Sequence, residues 1–121
     1  MRALALLALL GALAALLGAA AHGATGPQRI QVTEDEWSLV LSRQRLRPGV
    51  ALVEVFNIGQ DAHDLVLRRR APGARAVRVP KLDHFMRETV RVTLVTGTYA
   101  LWCSLPRHRE RGMSAVLRVG P

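Results

Sequence analysis

Tyr99-Ala-Leu-Trp-Cys-Ser-Leu-Pro-Arg-His-Arg-Glu-Arg-Gly-Met113 is the stretch on which this chain is read. Cys103, His108 and Met113 stand in it five residues apart, so four residues separate each pair. A thiolate, an imidazole and a thioether are soft and borderline donors that together suit copper. Zinc also accepts sulfur and nitrogen donors, and only the soft thioether tilts the choice. His63 upstream offers a second imidazole.

Side-chain parity extends the pattern outward. Tyr99, Leu101 and Cys103 alternate onto one face of a strand, and Met113, Ala115, Leu117 and Val119 onto one face of the next. If both faces line one core, the two sulfurs emerge at the same end, with His108 in the connection. His63, Leu65 and Leu67 share a face just after a Gly59-Gln60-Asp61 turn. Two imidazoles and a thiolate in a plane, with a weak axial thioether, describe a copper site that passes electrons. Protein would then fill every coordination position. No place is left for a substrate, and the expectation is a carrier, not an enzyme.

The remaining chain reads as short strands. Residues 29–33, 36–42, 50–58, 63–68, 88–95, 98–103 and 113–119 are apolar or alternating, separated by turn chemistry such as Arg47-Pro48-Gly49 and Gly97. Within 36–42, Trp37, Leu39 and Leu41 share the apolar face, and within 50–58 Glu54 marks the wetter one. Residues 76–79 read as an edge strand ending at Pro80, and 81–87 leave room for one helical turn. There is no heptad and no internal repeat. Seven to eight strands at regular spacing make the fold class all-β, a sandwich or barrel.

Composition sets the compartment. Residues 1–21 carry one early charge, Arg2, then an Ala/Leu/Gly run ending in three alanines, which is the pattern of a secretory signal peptide. Cleavage is expected after Ala21, with residue 24 as an alternative end. A retained membrane anchor is the competing reading, because the apolar run is nearly long enough to span. A linker over 22–28 and one domain over 29–121 follow. A periplasmic or other extracytoplasmic location is expected, with no transmembrane segment after cleavage.

One cysteine in an exported chain cannot form an internal disulfide, so the thiol is an intermolecular partner, a reactive site or a ligand, and an oxidising compartment adds weight to the ligand. Loss of Arg2 leaves sixteen basic residues against nine acidic, a net charge near +7. That charge favours acidic partners. Nucleic acid is not expected, since aromatics are 4% of the chain and no binding motif is present. A monomer is expected.

At these residues the chain resembles the cupredoxins, the plastocyanin/azurin-like type 1 blue copper proteins. Val55-Phe-Asn-Ile-Gly-Gln-Asp-Ala-His-Asp-Leu-Val-Leu67 is similar to the family's strand, Asn-x-Gly turn and first ligand histidine. The segment from Gly97 to Met113 is similar to its C-terminal ligand loop, and the likeness spans roughly residues 28–120. It implies a Greek-key β-sandwich, one copper ion cycling between Cu(II) and Cu(I), and single-electron exchange with redox partner proteins. His63, Cys103 and His108 would be equatorial ligands and Met113 the axial one. Trp102 falls where plastocyanins carry an exposed aromatic, which implies an electron route.

Two departures stand out. Arg107 replaces the glycine common before the second histidine, with Arg109 and Arg111 following, which points to an acidic docking partner at these three arginines. Asp64 replaces an asparagine common after the first histidine. A competing expectation is a copper chaperone delivering to an oxidase, suggested by His84-Phe-Met86. It predicts methionine-rich segments, yet only Met86 and Met113 lie beyond the signal. A metal-free adhesion module is a third class, in which Cys103 stays free.

Overall fold

Two sheets facing one another follow directly from the alternation. The computed structural model describes residues 26–121; the expected signal segment 1–21 and most of the expected linker lie outside the described residues. In chain order the strands are β1 (Gln28–Asp35), β2 (Ser38–Leu41), β3 (Arg45–Leu46), β4 (Gly49–Asn57), β5 (His63–Arg69), β6 (Ala76–Leu82), β7 (Arg87–Leu94), β8 (Gly97–Trp102) and β9 (Ser114–Val119), with a single helical turn, α1 (His108–Arg111), before β9. One sheet has the order β2-β1-β4-β7 and the other β3-β9-β8-β5-β6. Neighbours run antiparallel except β1 with β4 and β3 with β9.

The strands bury the expected faces. Ala51, Val53 and Val55 of β4 are buried, and Leu52, Glu54 and Phe56 between them are half-buried. The wetter face is dressed by polar contacts: Gln31 Nε2 donates to Glu54, and the Arg87 guanidinium lies 3.9 Å over the Phe56 ring. Tyr99 carries its hydroxyl into the core edge, where it accepts from the Val95 amide and donates to the Val95 carbonyl. A buried phenol needs such partners.

Three expectations change. There are nine strands rather than seven to eight, because Arg45–Leu46 forms a two-residue strand beside β9. The edge strand does not end at Pro80 but runs on to Leu82; β6 borders only β5, so a missing N–H can face solvent. Residues 81–87 form no helical turn. They hold the end of β6 and a reverse turn in which Met86 N–H donates to Asp83 O, with Phe85 at φ 59°.

Among the described residues no helix is long and apolar enough to cross a membrane.

Candidate metal centre

Two separate pieces of chain bring the candidate donors together at one end of the sandwich. Asn57, fully buried at the end of β4, donates through Nδ2 to the carbonyls of Asp61 and Leu82, and its Oδ1 accepts from the Gly59 amide. One amide side chain thus shapes the 58–62 turn and ties it to β6. His63 leaves that turn as the first residue of β5, and a bulge between His63 and Leu65 shifts its register against β6. Bulges commonly re-aim a side chain beside a site.

The second piece is the 103–113 segment. Cys103 N–H donates to Met113 O at 3.1 Å, and Met113 N–H donates to His108 O at 3.1 Å. The main chain therefore closes a compact loop that keeps all three residues together. Arg107 enters α1 at φ 65°, a left-handed conformation that glycine adopts without penalty. The departure noted in the sequence is thus a side chain placed on a glycine-like backbone.

His63 and Cys103 are fully buried, His108 is half-buried, and one donor atom from each lies within 4.8 Å of the others. His63 Nδ1 is 3.1 Å from His108 Nδ1, and Cys103 Sγ is 3.5 Å from the same nitrogen. Bonds from first-row ions to such donors are roughly 2.0–2.3 Å, so one ion can reach all three. Met113, the fourth expected donor, is fully buried and joined through its backbone to Cys103 and His108. The donor set fits the metal that the sequence suggests.

Protein electrostatics set the charge of the site's own side chains. Burial pushes the Cys103 thiol up to about 11, against the lowering effect of the Asp64 and Leu105 amides. His108 is lowered, first by burial and then by the neighbouring His63. Both shifts favour the uncharged side chain. A cation entering the site would meet a His108 ring biased to its neutral form and displace the Cys103 thiol proton.

Asp64 acts through both ends. Its N–H donates to Cys103 Sγ at 3.5 Å, and its carboxylate accepts from the backbone N–H and hydroxyl of Ser104. It staples the start of β5 to the residue after Cys103.

Two contributors were not anticipated. Glu36 and Trp37 form the turn between β1 and β2, so Trp37 does not lie on the strand face that alternation suggested. Glu36 Oε1 is 2.8 Å from His63 Nε2, and its carboxylate accepts from the Gln60 and Asp61 amides at 2.9 Å each. Although burial works to raise it, these donors and the His63 ring hold Glu36 at about 2. Trp37 stands edge-on to His108, with ring centroids 4.7 Å apart, and Arg111 covers the indole at 4.3 Å. A Cβ on Gly112 would come within 2.7 Å of Trp37 O, so the 103–113 loop and this turn meet where only glycine fits. Nothing local in the sequence announces these contacts; they arise only when the turn folds over the site.

The remaining site expectations are placed as follows. Trp102 is half-buried on the face away from Cys103, with Arg109 stacked 4.6 Å from its ring. Arg107, Arg109 and Arg111 are exposed around His108. His84 is apart from the cluster; its Nδ1 bonds Gly59 O at 2.6 Å and its ring lies 3.9 Å from that of Phe85, tilted by 36°.

Solved structures share this architecture. A reduced auracyanin from Roseiflexus castenholzii superposes with a TM-score of 0.64 at 18% identity, covering 79% of this chain and 100% of the other. Auracyanin A from Chloroflexus aurantiacus, described as a "blue" copper protein, gives 0.63 at 16% identity over 78% and 100%. The chain has the cupredoxin fold. A copper-containing nitrite reductase from Thermus scotoductus matches at 0.54 and 23% identity, but over only 23% of its length. No protein-family model matches the sequence, and no curated protein matches it.

Proposed function

We propose that this cupredoxin-fold chain is an exported electron carrier holding one copper ion through His63, Cys103, His108 and Met113. The observation that carries this reading is the convergence of the two Nδ1 atoms and the Cys103 thiol in a largely buried cluster. Copper bound there would supply a one-electron couple, cycling between Cu(II) and Cu(I). The chain's own residues do the rest. Burial of Cys103 and His63 excludes water, Asp64 orients the sulfur with its amide, and Trp37 packs on the one ligand ring that reaches the surface. Four protein ligands leave no open position, which makes the chain a carrier and not an enzyme. A signal over 1–21 and a periplasmic or other extracytoplasmic location belong to the same proposal.

Copper(II) titration of the protein tests it. The expected result is a strong blue band that bleaches on reduction; a colourless complex would overturn the reading. Copper delivery as the main role gains no support from His84, whose Nδ1 is already engaged by Gly59 O.

Exchange with a partner is expected to run through the arginine-rich end. Arg107, Arg109 and Arg111 surround the His108 edge and suit an acidic docking surface. Arg109→Glu combined with Arg111→Glu is expected to slow association with an acidic redox partner at least tenfold at low salt. The gap should narrow as salt screens the charges. Equal rates at every ionic strength would remove the docking assignment.

Trp102 is the proposed second route, since it lies one residue from Cys103 and on the opposite face. Trp102→Leu is expected to leave the colour intact and to slow exchange with any partner that docks on that face. An unchanged rate for every partner tested would exclude the route.

A further inference from the structure

The β1–β2 turn delivers a charged group to a ligand ring that is otherwise buried. Glu36 meets the outer nitrogen of His63, Nε2, at 2.8 Å, while the inner nitrogen, Nδ1, faces His108 Nδ1. Three nitrogens converge on the Glu36 carboxylate: the Gln60 and Asp61 amides, which donate to it, and His63 Nε2. A carboxylate in its ionised form is acceptor-only and can satisfy all three. His63 Nε2 must then carry the proton, which leaves the Nδ1 lone pair turned inward as a ligand requires. The pocket for this carboxylate is made by the absence of a side chain: a Cβ on Gly59 would overlap the Glu36 carboxyl group.

Resting on the copper reading above, we propose that Glu36 is a positioning residue that fixes the His63 tautomer and biases the site toward the oxidised ion. Hydrogen-bonded carboxylates behind metal-bound imidazoles raise the basicity of the ligand. A full negative charge one imidazole away also interacts more favourably with the ion of higher charge. Both effects act in one direction: they strengthen the binding of Cu(II) relative to Cu(I), and so lower the reduction potential.

Glu36→Gln removes the charge but keeps an oxygen able to accept from Nε2–H. Gly59→Ala keeps the charge and displaces the carboxylate from the ring, so it tests the same contact if the first variant folds poorly. Each is expected to cut the ratio of Cu(II) to Cu(I) affinity about tenfold, which for a one-electron couple is a rise of about 59 mV. Visible spectra and potentiometry of the loaded variants read this change. Nitrogen NMR of the metal-free protein reads the contact without copper: His63 should be protonated at Nε2 in the parent and show mixed tautomers in Gly59→Ala. Failure of the chain to take up copper would defeat the carrier reading while leaving that tautomer measurement intact. An unchanged affinity ratio in both variants, or a His63 tautomer indifferent to Gly59→Ala, would overturn the proposal.

Discussion

Cys103→Ser is expected to abolish the visible band of the copper(II)-loaded protein and to weaken copper binding by orders of magnitude, with the sandwich still folded. The band requires a thiolate sulfur, and Cys103, the chain's single cysteine, lies against the imidazole nitrogens of His63 and His108. Serine has nearly the same volume, so the packing of the fully buried position is kept. Its hydroxyl can still accept from the Asp64 amide, but it does not ionise to an anion that a soft ion prefers. The same residue predicts a pH dependence in the parent protein. Burial pushes the metal-free thiol up to about 11, so copper uptake near neutral pH must release its proton. The apparent copper affinity should therefore fall roughly tenfold for each unit that pH is lowered below that value, before any contribution from the histidines. Competition titrations between pH 6 and 8 measure the slope. A persistent blue band in Cys103→Ser, or a pH-independent affinity, would exclude Cys103 as a ligand. Alkylation gives an independent check, because a copper-bound thiolate should be protected from reagents that modify it in the metal-free chain.

The proposed ligands could be picked out because their signal is local. Cys103, His108 and Met113 share one loop, and strand parity alone sets Cys103 on the same side as Tyr99 and Leu101. His63 was readable because a turn and an alternating strand begin there. Strands with clear alternation, such as β4 and β7, came out nearly as expected. The two-residue β3 could not be read, since a period cannot be seen in two residues and its partner β9 is about seventy positions away. Glu36 and Trp37 were hidden for a different physical reason. Alternation assigns a face to a residue in a strand, but these two form a tight turn, and turns present side chains by backbone conformation instead. Their partners, His63, Gln60 and His108, reach them only through the parallel pairing of β1 with β4 and the closing of the 103–113 loop. Asp64 was noticed as a departure from the expected asparagine, but its two-ended staple between β5 and Ser104 is a tertiary fact.

Glu34→Leu is expected to make the protein more stable at pH 8 and to flatten its stability between pH 5 and pH 8. Glu34 follows Ile30 and Val32 on the inward face of β1, and it is as buried as they are. Neither carboxyl oxygen has a hydrogen-bond partner. Burial, followed by the negative charge of Asp64, raises this carboxyl to about 7 from an ordinary value of 4.5. The sign follows from proton linkage. Below about pH 4.5 the group is protonated in the folded and unfolded chains alike, and it takes nothing from stability. As pH rises, the unfolded chain loses the proton first, so stability declines until the folded group has also ionised, above about pH 7. A difference of this size is worth on the order of 3 kcal/mol. Small domains are stable by only about 5–15 kcal/mol, so one side chain controls a large share. His108, whose folded value is lowered, works in the opposite direction, losing stability as pH falls. Comparing the parent with Glu34→Leu cancels that term, because the histidines are common to both. Urea unfolding at pH 5 and pH 8 gives the four numbers required. If leucine leaves the parent's pH slope unchanged, the buried carboxyl is not the group that titrates. If the decline toward pH 8 is lost in the variant, the core beneath the hairpin that carries Glu36 holds, above about pH 7, a charge without any bond to compensate it.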